Sequence, residues 1–263
     1  GLLNIFIMNP INTIDINADL GEFQNEQELT KELNILKHIS SCSIACGGHI
    51  GDKRSIELIV KACLENNIAI GAHPSYPDKE GFGRKVINIT LPDLEKSLME
   101  QIQGFLTVAK SLSMPVRHVK LHGKLYTDVS RDGVLASFFL NIIDAIDEDL
   151  AIIGPSNSLL ESMAKKNGIT FISEAFIDRR YRENYSLVDR NQDGAFLETI
   201  EDQMNQVKSI LFEHKVLTNN NKLINIKAQT LCIHGDSPNA AQTARAVYRM
   251  LKEENIKIKP HSW

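Results

Sequence analysis

Short runs of β-branched and apolar residues recur seven times along this chain, and stretches with helical period lie between them. The runs cover residues 14–19, 42–46 leading to His49, 68–73, 116–122, 150–154, 169–174 and 230–234. Within 55–65 the apolar positions Ile56, Ile59, Val60, Cys63 and Leu64 follow i, i+3, i+4, i+7, i+8 spacing, one stripe of a helix lying on a sheet. Thr90 and Asp93, with Pro92 early in the turn, start a long helix that carries Leu94, Leu98, Ile102, Phe105 and Ala109 on one side. Further helices are predicted over 131–148, 157–167, 199–217 and 239–254, the last capped by Ser237 with Pro238 in its first turn. Residues 219–222 read as the turn joining a helix to the last strand, and 256–260, alternating with period two, as an edge piece. Crossovers of helical length force neighbouring strands to run parallel. The pattern therefore predicts an α/β fold, a seven-stranded parallel β/α barrel in one domain over residues 1–263, with 1–12 as an N-terminal extension.

A closed parallel barrel gathers the carboxyl ends of its strands on one face. Only the run 150–154 lacks an ionisable residue at its end, so one mouth is expected to collect Asp19, His49, His73, Lys120, His122, Glu174 and His234. Period two puts Asn17 and Asp19 on one side of the first strand, with Glu22 just beyond it, and Lys120 and His122 together on the fourth. Outward-facing Lys and His would meet the apolar helix layer, so inward is cheaper. A lysine buried there needs a carboxylate such as Asp19 or Glu174 to stay charged.

The connections add binding chemistry. Gly47 and Gly48 let backbone approach a bound group between His49 and Asp52, although Asp52 equally fits the N-cap of the next helix. The segment 71–85 is too long for a simple turn, and Arg84 beside Lys85 suits either a grip on carboxylate or phosphate or a solvated loop. Asp178, Arg179 and Arg190 supply both charge signs near Glu174, Tyr126 reads as a rim aromatic, and Asp236 with Ser237 precedes a helix N-terminus suited to an anion.

Composition narrows the function classes. Lys+Arg 29 against Asp+Glu 33 gives a net charge of −4 and a pI near 6.1, which offers no basic field for nucleic acid. The apolar stretch 2–8 has no Lys or Arg ahead of it and is too short for a signal segment or a membrane span. Cys42, Cys46, Cys63 and Cys232 read as free thiols, mostly small core residues, of a reducing cytoplasm. A cytoplasmic protein with neither nucleic acid nor membrane as partner is expected.

In order and at their intervals, INADLGE, ACGGHIGD, GAHPSYPD with GFGR, VKLHGKLY, EAFIDRRY and CIHGDSP resemble the LamB/YcsF family, the A subunits of bacterial ATP-dependent 5-oxoprolinase. The likeness runs from about Ile14 to about Lys257. It implies a distorted TIM-like barrel of the glycoside hydrolase/deacetylase type. It also implies opening of the lactam of 5-oxo-L-proline to L-glutamate, ATP as co-substrate cleaved to ADP and phosphate, and B and C subunits as partners. Catalytic roles are expected for Asp19, Glu22, His49, His73, Lys120, His122, Glu174 and His234. Substrate or phosphate binding is expected at Asn17, Arg84, Tyr126, Asp178, Arg179, Arg190, Asp236 and Ser237, and no residue is assigned to a metal. Asp52, Pro74 and Asp78 also fall on motif positions. The chain departs from the family pattern at Gly48 (usually Phe), Leu121 (Pro), Lys124 (Ala) and Lys85 (Arg), which touches substrate and partner detail more than reaction class.

A lactam amide is a weak electrophile. Phosphorylating its oxygen would activate it for water, with Asp19, His49, His122 or Glu174 as general base and Arg84, Arg179 and Lys120 holding the anionic groups. No Walker sequence is present, so ATP would need loops of another design or a partner subunit. Two rival readings are a stand-alone metal-dependent deacetylase or amidohydrolase, with Asp19, His49 and His122 or His234 around a divalent ion, and a non-catalytic ligand-binding subunit.

Overall fold

The computed structural model describes residues 11–261, so most of the expected N-terminal extension lies outside the described residues. Strand β1 (Thr13–Leu20) leads through α1 (Glu26–Ile35) to β2 (Ser41–Ala45), then α2 (Lys53–Glu65) and β3 (Ala69–His73). The chain continues with α3 (Leu91–Ser111), β4 (Val116–Lys120), α4 (Gly123–Arg131), α5 (Gly133–Ala145), β5 (Ala151–Pro155), α6 (Leu159–Lys166) and β6 (Phe171–Phe176). After α7 (Ile200–Lys208) come a hairpin, β7 (Lys215–Leu217) and β8 (Leu223–Asn225), then β9 (Thr230–His234), α8 (Ala240–Glu253) and β10 (Lys257–Ile258). Strands β1 to β6 and β9 pair in parallel, and β1 pairs with both β2 and β9, which closes a seven-stranded barrel. The short β10 lies on the start of β1, pairing Thr13 with Lys257, so the predicted edge piece flanks the barrel.

Alternation along β1 separates two jobs. Ile14, Ile16, Ala18 and Leu20 face outward into one large core with the helix stripes, among them Ile59, Val60, Cys63, Leu98, Ile102, Phe105, Phe139 and Val247. Each Val, Leu, Ile or Phe among them contributes about 1.5–3 kcal/mol on burial, and this outer layer stabilises the fold. Asp15, Asn17 and Asp19 face inward, where Asp15 accepts from Ser40 Oγ at 2.5 Å and Ser41 Oγ at 2.7 Å. Higher up, Ser43 Oγ meets His118 Nε2 at 2.9 Å, and Gly71 sits where any Cβ would overlap the His118 ring. The interior is thus polar and hydrogen-bonded, apart from a small apolar cluster of Ala151, Ile153 and Ile172.

Several predicted boundaries move. The helix expected over 131–148 is α5, which starts two residues later behind its N-cap Asp132, whose side chain accepts from the Val134 and Leu135 amides; α4, just before it, was not predicted. The helix expected over 199–217 stops early: α7 runs into a π turn at Ser209–Glu213, His214 takes a left-handed conformation (φ +54°), and Lys215–Leu217 pairs as a strand. Residues 219–222 are therefore the hairpin turn between β7 and β8. Ser237 does not cap the last helix, because the helix starts only at Ala240 with Asn239 at the N-cap position, and Ser237 lies in the turn before it, its amide donating to His234 O. Asp52 is the N-cap of α2, in a capping box with Ser55, and α1, capped by Asn25, was not predicted at all. Among the described residues no helix is long and apolar enough to cross a membrane, and all four cysteines are free thiols.

Candidate active site

The residues predicted for one mouth do converge, but in two tiers. In the lower tier Lys120, 1% exposed, reaches across the barrel to three other strands. Its Nζ lies 2.7 Å from Glu174 Oε2, 2.9 Å from Asp19 Oδ1, 3.1 Å from Asn17 Oδ1 and 3.2 Å from Cys232 Sγ. Burial pushes the lysine pKa down, yet Asp19, Cys232 and Glu174 outweigh it and hold the pKa well above the ordinary value. Burial likewise opposes the Asp19 charge, and His73 and Lys120 overcome it to hold Asp19 well below the usual carboxylate range. Glu174 was expected at a strand end, but β6 runs two residues further, to Phe176. It is therefore sunk beneath the mouth, bonded by Asn17 Nδ2 (2.9 Å) and Tyr126 Oη (2.9 Å). Tyr126 is not a rim aromatic: it lies part-buried on α4, and burial first, then Glu174, raises its pKa.

The upper tier is built by the loops after β1, β2 and β4 and by the last residue of β3. Glu22 Oε1 is 2.8 Å from His49 Nε2, 3.5 Å from His122 Nδ1 and 3.8 Å from His73 Nε2. His73 Nε2 and His122 Nδ1 are 3.1 Å apart, and Asp19 Oδ2 lies 3.6 Å from His73 Nε2. The His49 and His122 rings stack with centroids 3.6 Å apart and planes within 3°. Burial drives the His49 pKa down to about 3, lowers those of His73 and His122, and raises that of Glu22 to about 8. The Glu22–His49 contact is accordingly a hydrogen bond between neutral partners, not an ion pair.

A third group lies on the other side. His234 Nδ1 meets Asp178 Oδ1 at 2.9 Å, which fixes the tautomer so that Nε2 faces the cavity side. Burial raises the Asp178 pKa, and His234 more than offsets this to leave it lowered. Arg84 Nη2 pairs with Asp236 Oδ2 at 2.8 Å across the rim, with Arg190 3.8 Å from the same carboxylate. Arg179 and Arg190 stack on Phe196, and Arg179 donates to Val188 O. Lys85 is exposed, and Lys124 is paired with Asp128 at 2.9 Å.

A cavity of about 990 Å³ opens between these groups, lined by Asp19, Glu22, His73, Lys120, His122 and His234 below and by the three arginines at its rim. His49, Asn17 and Glu174 stand behind its wall. Ser237 and Asp178 instead line a neighbouring cavity of about 490 Å³, with Arg190 and Asn239. Among the described residues two groups offer enough donor atoms within 4.8 Å of one another to hold a metal: Glu22, His49, His73 and His122, and Asp19, Cys232 and His234.

Sequence reasoning missed the residues that hold this site in place. Glu32, on the unpredicted α1, accepts from the Gly21 amide (2.8 Å) and the Glu22 amide (2.9 Å) and so sets the turn that carries Glu22. Gln101 on α3 clamps Ser75, accepting from its amide and donating to its carbonyl, both at 3.0 Å, while Ser75 Oγ meets His49 Nδ1 at 3.1 Å. The signal for Gln101 was a polar residue inside the apolar stripe between Leu98 and Ile102. It also explains the glycine at 48: a Cβ there would overlap the Gln101 amide and stand 2.5 Å from Ser75 Oγ. Gly48→Ala is expected to lower unfolding stability by about 1–3 kcal/mol. Urea denaturation checks this, and adding Gln101→Ala should recover part of the loss.

The comparisons with known proteins agree with this architecture. The LamB/YcsF family profile matches residues 14–263. The A subunit of 5-oxoprolinase from Campylobacter jejuni is 34% identical over 93% of this chain and 96% of its own, and that from Pyrococcus horikoshii is 33% identical over 94% and 97%. The crystal structure of a lactam utilization protein from Thermus thermophilus superposes with a TM-score of 0.85 at 29% identity, covering 95% of this chain and 100% of that one. With the profile spanning the whole barrel and relatives above 30% identity matched over nearly their full length, the chain belongs to the LamB/YcsF family.

Proposed function

We propose that this chain is the A subunit of an ATP-dependent 5-oxoprolinase, opening the lactam of 5-oxo-L-proline to L-glutamate together with B and C subunits. One observation carries the reading: relatives named as A subunits of 5-oxoprolinase match the chain almost end to end. The site supports it, with carboxylates and imidazoles facing Arg84, Arg179 and Arg190 across one cavity.

The chemistry has to overcome amide resonance. Transfer of the terminal phosphoryl of ATP to the amide oxygen releases ADP and leaves a ring carbon open to attack. Water adds as a base takes its proton, the C–N bond breaks as a proton reaches nitrogen, and a second water hydrolyses the resulting acyl phosphate to glutamate and phosphate. His234 is the base best prepared for this, because Asp178 holds its Nδ1–H and leaves Nε2 free, the arrangement that orients a catalytic imidazole. Arg84 and Arg190 would release Asp236 to take the substrate carboxylate or the phosphoryl group. Glu174, sealed by Lys120, Asn17 and Tyr126, is not used as a base.

The test is glutamate release from 5-oxo-L-proline by the purified chain, with and without ATP and its partner subunits. Release that needs both is expected, and release without ATP would overturn the coupled reading in favour of a stand-alone amidohydrolase. Asp178→Asn is expected to lower kcat of the complex by about 10²-fold with little change in KM, because the amide no longer selects the His234 tautomer. Steady-state kinetics on the reconstituted complex measure it.

A further inference from the structure

The hydrogen bonds around the upper tier fix where its protons are. His73 Nδ1 lies 2.7 Å from Lys120 O and His122 Nε2 lies 2.9 Å from Phe82 O. A carbonyl only accepts, so each ring must carry its hydrogen on that outer nitrogen. Ser75 Oγ spends its own hydrogen on Tyr76 O at 2.9 Å, so it accepts from His49 Nδ1. All three inner nitrogens are therefore bare lone pairs, and all three converge on Glu22 Oε1. A proton on Glu22 reconciles its contact with His49. Nothing equivalent reconciles His73 Nε2 with His122 Nδ1, two acceptors 3.1 Å apart with Asp19 Oδ2 another 3.6 Å away.

Only a cation at the centre satisfies such a set. The face-to-face stack of His49 on His122 suits neutral rings and so disfavours an added proton on either. The spacing suits an ion: bonds of about 2.0–2.1 Å to a tetrahedral metal place donors about 3.3 Å apart. The separations in the cluster, 2.8, 3.1, 3.5 and 3.8 Å, bracket that value. Outer nitrogens tied to carbonyls or a hydroxyl are how ligating imidazoles are held in their tautomer and orientation. The alternative group, Asp19, Cys232 and His234, is already occupied by a cation, since the Lys120 ammonium sits on both Asp19 and Cys232.

We propose that Glu22, His49, His73 and His122 bind one divalent transition-metal ion of the zinc or cobalt class, at the floor of the cavity. Three imidazoles and one carboxylate match the ligand preference of such ions and not that of magnesium or calcium. The proposal stands apart from the reaction above, because its test reads metal and not turnover.

The full chain is stripped with chelator and titrated separately with Zn²⁺ and Co²⁺. One ion per chain after gel filtration, intense visible bands for the cobalt form, and a zinc absorption edge with nitrogen and oxygen neighbours at about 2.0–2.1 Å are expected. His73→Ala and His122→Ala should each weaken binding at least 100-fold, while Cys232→Ser keeps the ion. Absence of a bound ion in the unaltered chain, sulfur in the metal's shell, or unchanged affinity in both histidine variants would overturn the site. The spectra of the unaltered chain decide the matter even if a variant fails to fold.

Discussion

Lys120→Met is expected to cost about 3–5 kcal/mol of unfolding stability and to abolish turnover, the largest single effect in the molecule. The lysine is the one cation within hydrogen-bond reach of both Asp19 and Glu174 among the described residues, and all three are buried. Removing one member of a buried charge set leaves the rest uncompensated in a medium that solvates them poorly. The loss carries a pH signature. In the parent chain Asp19 is held below its unfolded value near 3.9, so its contribution is present above that pH and is lost as the pH falls through the folded value. Lys120 is held above its unfolded value, so its share is complete below about 10.4 and is lost only as the pH rises through the folded value. Without the cation, burial, the largest influence on Asp19, is no longer offset by the ammonium and raises the Asp19 pKa. A carboxylate with a raised folded pKa favours folding below its unfolded value and opposes it as the pH climbs through the folded one. The deficit should therefore be smallest near pH 4–5 and grow toward pH 8, and urea titrations of both chains across that range read it directly. A deficit independent of pH would mean that the ammonium fills space without compensating charge.

His122→Ala is expected to lower kcat of the complex by about 10³-fold or more. The ring supplies a bare Nδ1 to the cluster around Glu22, and through Nε2 it holds Phe82 O, so its removal disturbs the cluster and the 74–85 loop together. KM for the lactam should rise much less, because the arginines that would hold its carboxylate stand at the rim and are not bonded to the imidazole. Initial rates at saturating lactam and ATP measure the split. Turnover within threefold of the parent would remove the Glu22–histidine cluster from the reaction. The loss of the Phe82 hydrogen bond should cost stability only about 0.5–1.5 kcal/mol, so the two effects separate experimentally.

What was legible in the sequence follows from periodicity. Alternation on β1 and β4 placed Asp19 and Lys120 inside, because a side chain two residues along a strand returns to the same face whatever surrounds it. The apolar stripes of α2 and α3 were legible for the same reason. Glu32 was not, since α1 has too thin an apolar stripe to announce itself, and a glutamate in a polar stretch reads as solvent-exposed. Glu174 was placed on the right strand but at the wrong height, because where a strand ends depends on its pairing with β5 and β9 and not on its own residues.

The chain alone determined the seven runs, the parallel order and the types of side chain available to the mouth, since these rest on local spacing and on covalent limits to chain reversal. Only the tertiary structure decided which of those side chains meet: that Lys120 binds the carboxylates in a sealed lower tier, that His234 turns to Asp178, and that three histidines aim bare nitrogens at Glu22. Such choices depend on which backbone carbonyl or hydroxyl faces each ring. Those partners come from residues 26 to 47 positions away in sequence, distances over which no local pattern carries information.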